Sequence, residues 1–116
     1  MQYLLMIYAN EREFEALGAD ALNSITQEYT QFTKSIVQAG QMKAADRLKP
    51  VSSASTVRVR NGKVLITDGP FAETREQLGG YYLVEAKNLD EALAIAGRIP
   101  SARYGSIEVR PIWPMS

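Results

Sequence analysis

A chain of 116 residues with 46% hydrophobic and 22% charged side chains has the size of one domain, expected to span residues 1–116. Its apolar content suffices for a core, which excludes disorder and low-complexity fibres. Thirteen basic and thirteen acidic side chains give a formal charge of +0, so the positive field needed for non-specific nucleic-acid or anionic-membrane binding is missing. Cysteine and histidine are both absent. That removes thiol nucleophiles, disulfides and Cys/His metal sites, and leaves proton transfer near neutral pH to a carboxyl, Lys or Tyr of shifted pKa.

The apolar run from Met1 to Ala9, closed by the polar cluster Asn10 to Glu13, predicts a strand buried on both faces. The run is too short for a membrane span and has neither the basic flank nor the small-residue cleavage site of a secretory signal, so the expected location is cytoplasmic. Leu22, Ile25, Tyr29, Phe32 and Ile36 recur at intervals of three and four and form one helical stripe. Asp20 is the expected N-cap and Gly40 the expected C′ terminator. Met42 to Leu48 follows as an edge strand in which Met42, Ala44 and Leu48 alternate with Lys43 and Arg47. Pro50 to Ser55 is a loop.

Asn61-Gly62 suits a two-residue type I′ turn and predicts a hairpin of Thr56–Arg60 against Lys63–Thr67. In that register Val59 faces Val64 and Val57 faces Ile66, leaving Arg58, Arg60, Lys63 and Leu65 on the other face. Beyond a loop and the pair Gly79-Gly80, read as a bulge, Tyr81 to Val84 predicts a second central strand. Asn88 and Glu91 make a capping box for a helix striped by Leu89, Ala92, Leu93 and Ala96 and ended by Pro100. Ser106 to Ile112 alternates as a final edge strand.

Strand, helix, strand, inserted hairpin, strand, helix, strand is the order of an α+β, ferredoxin-like split βαβ plan. Two helices cover one face of such a sheet. The other face is apolar along Tyr3–Tyr8 and Tyr81–Val84, and a second copy of the chain is its simplest cover, hence a homodimer.

The segment Asp68-Gly-Pro-Phe-Ala-Glu-Thr-Arg-Glu-Gln-Leu-Gly-Gly-Tyr-Tyr-Leu-Val-Glu-Ala86 resembles the signature of the DGPF group of YCII-related proteins. The likeness extends through Thr56–Arg60, Leu89–Ala92, Ile99-Pro100 and Ile107–Pro111. It implies a ferredoxin-like dimeric α/β barrel and a family without one settled biochemical role. Some YCII relatives use a His and Asp pair in the barrel cavity, and without histidine half of that pair does not transfer. The resemblance also implies a setting beside extracytoplasmic-function sigma factors.

Asp68 is a candidate catalytic or ligand-binding carboxylate, with an Asx-type turn as the structural alternative. Arg58 is the best carboxylate or phosphate contact on the basic hairpin face, which Glu73 and Glu76 could instead neutralise. Glu85 shares strand parity with Tyr81 and Leu83, so it points into the apolar face or into water at the strand end. Tyr81 is either a ligand contact or core, and Phe71 is expected as a core plug. No phosphate loop, serine elbow or acidic metal cluster occurs, so no cofactor or metal is expected. The leading function is binding of a small molecule, an anion among the options, in a cavity of the dimer. The alternatives are a regulatory module associated with a sigma factor and a His-independent enzyme using Asp68.

Overall fold

The computed structural model describes residues 1–115. In chain order it contains β1 (Gln2–Ala9), α1 (Glu11–Glu15), α2 (Ala19–Gln38), β2 (Met42–Arg47), β3 (Ser55–Arg60), β4 (Lys63–Asp68), β5 (Gln77–Glu85), α3 (Leu89–Gly97) and β6 (Ser106–Pro111), with 3-10 turns at Val51–Ser53 and Pro100–Arg103. Four strands form an antiparallel sheet in the order β2-β5-β1-β6, while β3 and β4 form a separate two-stranded sheet. The fold is α+β, and its strand order is compatible with the ferredoxin-like plan. No helix among the described residues is long and apolar enough to cross a membrane.

The core lies between one face of the sheet and the helices. Tyr3 and Leu5 of β1 and Tyr82 and Val84 of β5 meet Phe32 and Ile36 of α2 and Ala92, Ile95 and Ala96 of α3. Alternation along the strands sends Leu4, Met6, Tyr8, Tyr81 and Leu83 to the other face, which no helix covers. Phe32 packs its edge against the Tyr82 ring at 5.2 Å, one of the favoured aromatic geometries. Gly105 lets the last turn approach β1, since a Cβ there would stand 2.1 Å from the Tyr8 carbonyl oxygen.

The helix ends follow local chemistry. Gly40, at φ +72, closes α2 in a Schellman arrangement, with Gly40 N donating to Val37 O and Gln41 N to Ile36 O. Asn88 caps α3 by accepting from Glu91 N at 2.9 Å. The expected N-cap of α2 is corrected: Asp20 lies inside the first turn and Gly18 is the N-cap, without a side-chain bond. A carboxylate there still complements the helix dipole. The stripe of α3 is also rotated, because Ile95 is buried while Leu89 and Leu93 are about half exposed. In β2 a register shift between Met42 and Ala44 puts Met42 and Ala45 against the core, so the simple alternation through Ala44 fails.

The hairpin forms in the expected register, Val59 opposite Val64 and Val57 opposite Ile66. Asn61 and Gly62 have φ of 52 and 76, as a type I′ turn requires. The register shift that pairs Ile7 with Gly80 and Tyr8 with Leu78 leaves Gly79 as the bulge.

Candidate functional site

The five stripe residues of α2 divide into two groups. Phe32 and Ile36 are buried, whereas Leu22, Ile25 and Tyr29 are only half-buried. The division follows from what faces them. Large side chains of β1 and β5 meet the C-terminal half of α2, but small residues, Ala9, Ala45, Gly79 and Gly80, lie under its N-terminal half. A space of about 710 Å³ results, walled by Leu22, Ile25 and Tyr29 of α2, Phe14 of α1 and Ile7 and Tyr82 of the sheet. This volume lies in the range of small-molecule sites, and the walls are largely apolar.

The wall formed by α1 is anchored by polar bonds. Asn10 caps α1 by accepting from Glu13 N and donates from Nδ2 to Arg75 O, each at 3.0 Å. Glu11 N donates to Gln77 Oε1 at 3.0 Å, and the Glu11 carboxylate accepts from Val51 N at 3.1 Å. The loop after β2 and the start of β5 thereby hold α1 over the cavity.

Inside, the Tyr29 hydroxyl and Ser101 Oγ are 2.5 Å apart, and Ser101 is only 5% exposed. Burial raises the Tyr29 pKa against a smaller lowering from the Ser101 bond, so the hydroxyl is neutral at physiological pH. Two hydroxyls carry two protons, and their mutual bond uses one. The other is available to an acceptor in the cavity. The Tyr82 hydroxyl is bonded in the same way to Thr33 at 2.6 Å, but Thr33 does not line the cavity. Around the mouth Glu11 and Glu15 stand with Arg47, the Glu11 carboxylate being held by Val51 N, while the Asp46 side chain pairs with Tyr81 on the helix-free face. The mouth offers no surplus of positive charge to an anion.

The residues singled out in the sequence are not gathered at this cavity. Tyr81 borders the cavity, but its side chain lies on the helix-free face, where its hydroxyl donates to Asp46 Oδ2 at 2.5 Å, a bond that raises the tyrosine pKa ahead of smaller desolvation and coulombic effects. Glu85, on the same sheet face, lies at the strand end, where the N-terminal ammonium meets it at 3.2 Å. Arg58 and Asp68 project from opposite faces of the hairpin, since Asp68 shares the parity of Ile66 and Val64 whereas Arg58 pairs with Leu65.

Among the described residues the Asp68 carboxylate accepts no hydrogen bond. The loop is held instead by Gly69 N donating to Ala54 O at 2.7 Å and Thr56 Oγ1 donating to Gly69 O at 2.8 Å, which replaces the expected Asx turn. Phe71 is 78% exposed, so the expected core plug is corrected. Glu76 accepts from Ser106 Oγ and does not neutralise the basic hairpin face. Arg58 donates to Phe71 O at 3.3 Å and Arg60 to Val59 O at 3.0 Å.

Sequence reasoning missed Tyr29, Ser101 and α1. The Asn10 to Glu13 cap was a usable signal for α1, the same pattern that marked Asn88 and Glu91. Nothing local marks the pairing of Tyr29 with Ser101, which are 72 positions apart.

A second concavity of about 580 Å³ lies between α2 and the Pro100–Arg103 turn, with Arg98 and Arg103 on its rim. Both guanidiniums are engaged there, Arg103 with Glu28 at 2.5 Å and Arg98 with Ser35 and, at 5.6 Å, the Phe32 ring. No group of three His, Cys, Asp or Glu placed to hold a metal occurs among the described residues.

The family model of the YCII-related domain matches residues 1–116. An uncharacterized protein of Rhizobium meliloti (strain 1021) is 36% identical over 114 residues, covering 97% of this chain and 92% of that protein.

Proposed function

From the chain's membership of the YCII-related family and the form of its cavity, we propose that it is a small-molecule-binding domain. The ligand is a neutral, largely apolar molecule with one carbonyl or similar acceptor. The observation that carries this reading is the Tyr29–Ser101 hydroxyl pair, half-buried at Tyr29 and buried at Ser101, in the wall of a cavity of about 710 Å³. An apolar wall supplies affinity by removing ligand surface from water, and one desolvated hydroxyl proton supplies orientation.

Two chains packed through their helix-free faces make the dimeric α/β barrel that the central strands call for, because Leu4, Met6, Tyr8, Tyr81 and Leu83 have no helix over them. Light scattering at micromolar concentration is expected to give twice the chain mass. A sigma-factor association rests on the sequence resemblance. Catalysis by Asp68 needs its carboxylate beside the ligand, and on the hairpin it lies outside the cavity of its own chain.

The test is a thermal-shift screen of metabolites together with Nile red, a neutral ketone-bearing dye, and anilinonaphthalene sulfonate, an anionic one. Wild type is expected to bind Nile red in preference. Ile25→Trp, which intrudes on the cavity wall, is expected to weaken that binding, and Tyr29→Phe weakens it by about tenfold, the worth of one hydrogen bond. Equal binding by wild type and Ile25→Trp removes the cavity as the site. A melting temperature raised by a co-purified sigma factor and by no small molecule replaces the ligand reading with the regulatory one.

A further inference from the structure

We infer that Asn61 is a self-modification site, at which the Gly62 nitrogen displaces ammonia from the Asn61 carboxamide and water opens the resulting succinimide to aspartate or isoaspartate. The site is the tip of the β3–β4 hairpin, an arm apart from the cavity. The chain holds four asparagines, Asn10, Asn23, Asn61 and Asn88, and their surroundings differ. Asn10 and Asn88 have their side-chain oxygens engaged by Glu13 N and Glu91 N as helix caps, and the side chains of Glu11 and Leu89 crowd the backbone nitrogen that would attack. Asn23 lies within α2, where Ser24 N–H belongs to the helical ladder. Asn61 is the one asparagine followed by glycine.

Both residues of the pair are exposed, and a Cβ at Gly62 would meet nothing within 4 Å. Neither the Asn61 carboxamide nor Gly62 N–H has a hydrogen-bond partner among the described residues. Asp68-Gly69, at the base of the same hairpin, makes the contrast. There the Gly69 N–H donates to Ala54 O at 2.7 Å, so that nitrogen is already committed. Arg60 and Lys63 stand directly opposite each other beside the turn, and two cations there favour the negative charge that develops on the attacking Gly62 nitrogen.

In the first step the Gly62 nitrogen bonds to Asn61 Cγ and gives its proton to water, while the Cγ–Nδ2 bond breaks and ammonia leaves. Water then cleaves one of two ring bonds. Cleavage at Cγ returns aspartate, and cleavage at the main-chain carbonyl gives isoaspartate, in which the chain runs through Cβ and Cγ. With φ of 52 and 76 at Asn61 and Gly62, the closed type I′ turn fixes the torsion that would carry the nitrogen onto Cγ, so the step runs through an opened tip. Opening costs little. No residue of β3 or β4 is buried, neither strand makes extended contact with another element, and a lone two-stranded ribbon is marginal in water.

The two products differ in register. Aspartate keeps an Asp-Gly pair that a type I′ turn accepts, and its carboxylate offsets the like-charge pair of Arg60 and Lys63. Residues Ser55–Asp68 hold three cations and one carboxylate, net +2, which a second carboxylate lowers by one. Isoaspartate lengthens the main chain by one carbon. The two-residue turn then no longer closes in register, and Val57, Val59, Val64 and Ile66 lose their cross-strand partners.

The experiment is incubation of folded wild type at mildly alkaline pH, read by peptide mass spectrometry and by isoaspartyl methyltransferase, which labels isoaspartate. The mass gain of an amide-to-acid exchange is expected at Asn61, while Asn10, Asn23 and Asn88 stay intact. Gly62→Ala, whose methyl group crowds the nitrogen, is expected to slow the conversion at least about tenfold. Hydrogen exchange is expected to show lost protection over residues 55–68 in the isoaspartate form, with the melting transition of the body unchanged. Asn61→Asp, the other product, keeps that protection. Wild type whose Asn61 stays intact when folded, whether or not it converts in guanidinium chloride, overturns the inference, and so does conversion spread evenly over the four asparagines. An isoaspartate form with a fully protected hairpin overturns the loss of register.

Discussion

The sheet with its helices and the β3–β4 arm are built by different forces. In the body Leu5, Ile36 and Val84 are 0% exposed, and its strands are joined in register by four-stranded pairing. In the arm no residue is buried, and the shape comes from turn chemistry at Asn61-Gly62 and from cross-strand pairs. Stability in the body is a matter of volume and burial, whereas in the arm it is local.

Truncation of the core separates the two regions most strongly. Leu5→Ala is expected to cost about 4 kcal/mol, from lost transfer energy and the cavity left behind. Val59→Ala stays within about 0.5 kcal/mol in a monomer. Chemical denaturation at low protein concentration measures both, and a cost near 2 kcal/mol for Val59→Ala would place the arm inside the folded core.

Glycine substitution gives the next largest contrast. Gly105→Ala is expected to cost about 3 kcal/mol, because its Cβ meets the Tyr8 carbonyl and the backbone must move. Gly62→Ala meets open space but at φ +76, and only the conformational cost of about 1 kcal/mol remains. Equal shifts in melting temperature would remove this contrast between crowding and backbone conformation.

Alkaline titration sharpens it further. Burial raises the pKa of Tyr29 and Tyr82 in the body, and the Asp46 bond raises that of Tyr81. A tyrosine whose proton is held more tightly in the folded state contributes its full stability below about pH 10, the unfolded value. That contribution is lost as pH rises through the higher folded value. Melting curves above pH 10 are expected to fall steeply for wild type and less steeply for Tyr29→Phe, which at neutral pH loses about 1 kcal/mol with its hydrogen bond. An unchanged alkaline slope in Tyr29→Phe would show that its hydroxyl is not desolvated.

The smallest effect belongs to the arm. The Asp68 carboxylate has no hydrogen-bond partner among the described residues, so Asp68→Ala is expected to change stability by less than about 0.5 kcal/mol. A loss nearer 1 kcal/mol, with rescue by Asp68→Asn, would restore a turn role. Unchanged stability with lost ligand response in Asp68→Asn would instead give the carboxylate a role in binding.

Signals that act over a few residues were legible in the sequence. Asn61-Gly62 specified the turn and through it the hairpin register, Gly40 ended α2, Asn88 capped α3, and the apolar runs at Tyr3–Tyr8 and Tyr81–Val84 marked the two central strands. Each outcome depends on backbone preference or strand parity, which neighbouring residues decide. Asp20 and Leu89 show the limit of the same reasoning. A cap can shift by two positions, and a short helix can rotate so that Ile95 rather than Leu93 meets the core, without any change in local pattern.

The candidate site belonged to the tertiary structure. Small residues from three separate strands, Ala9, Ala45, Gly79 and Gly80, gather beneath the first half of α2, and the chain brings Tyr29 and Ser101 together across 72 positions. Neither event leaves a periodic trace, because volume at a contact depends on both partners and the sequence presents them apart. The residues that looked chemical, Asp68 and Arg58, fall on opposite faces of one ribbon by the two-residue period of a strand. By itself the sequence determined the elements and their local ends. Which apolar faces closed on each other, which stayed open, and where an empty volume remained were decided only when distant segments packed.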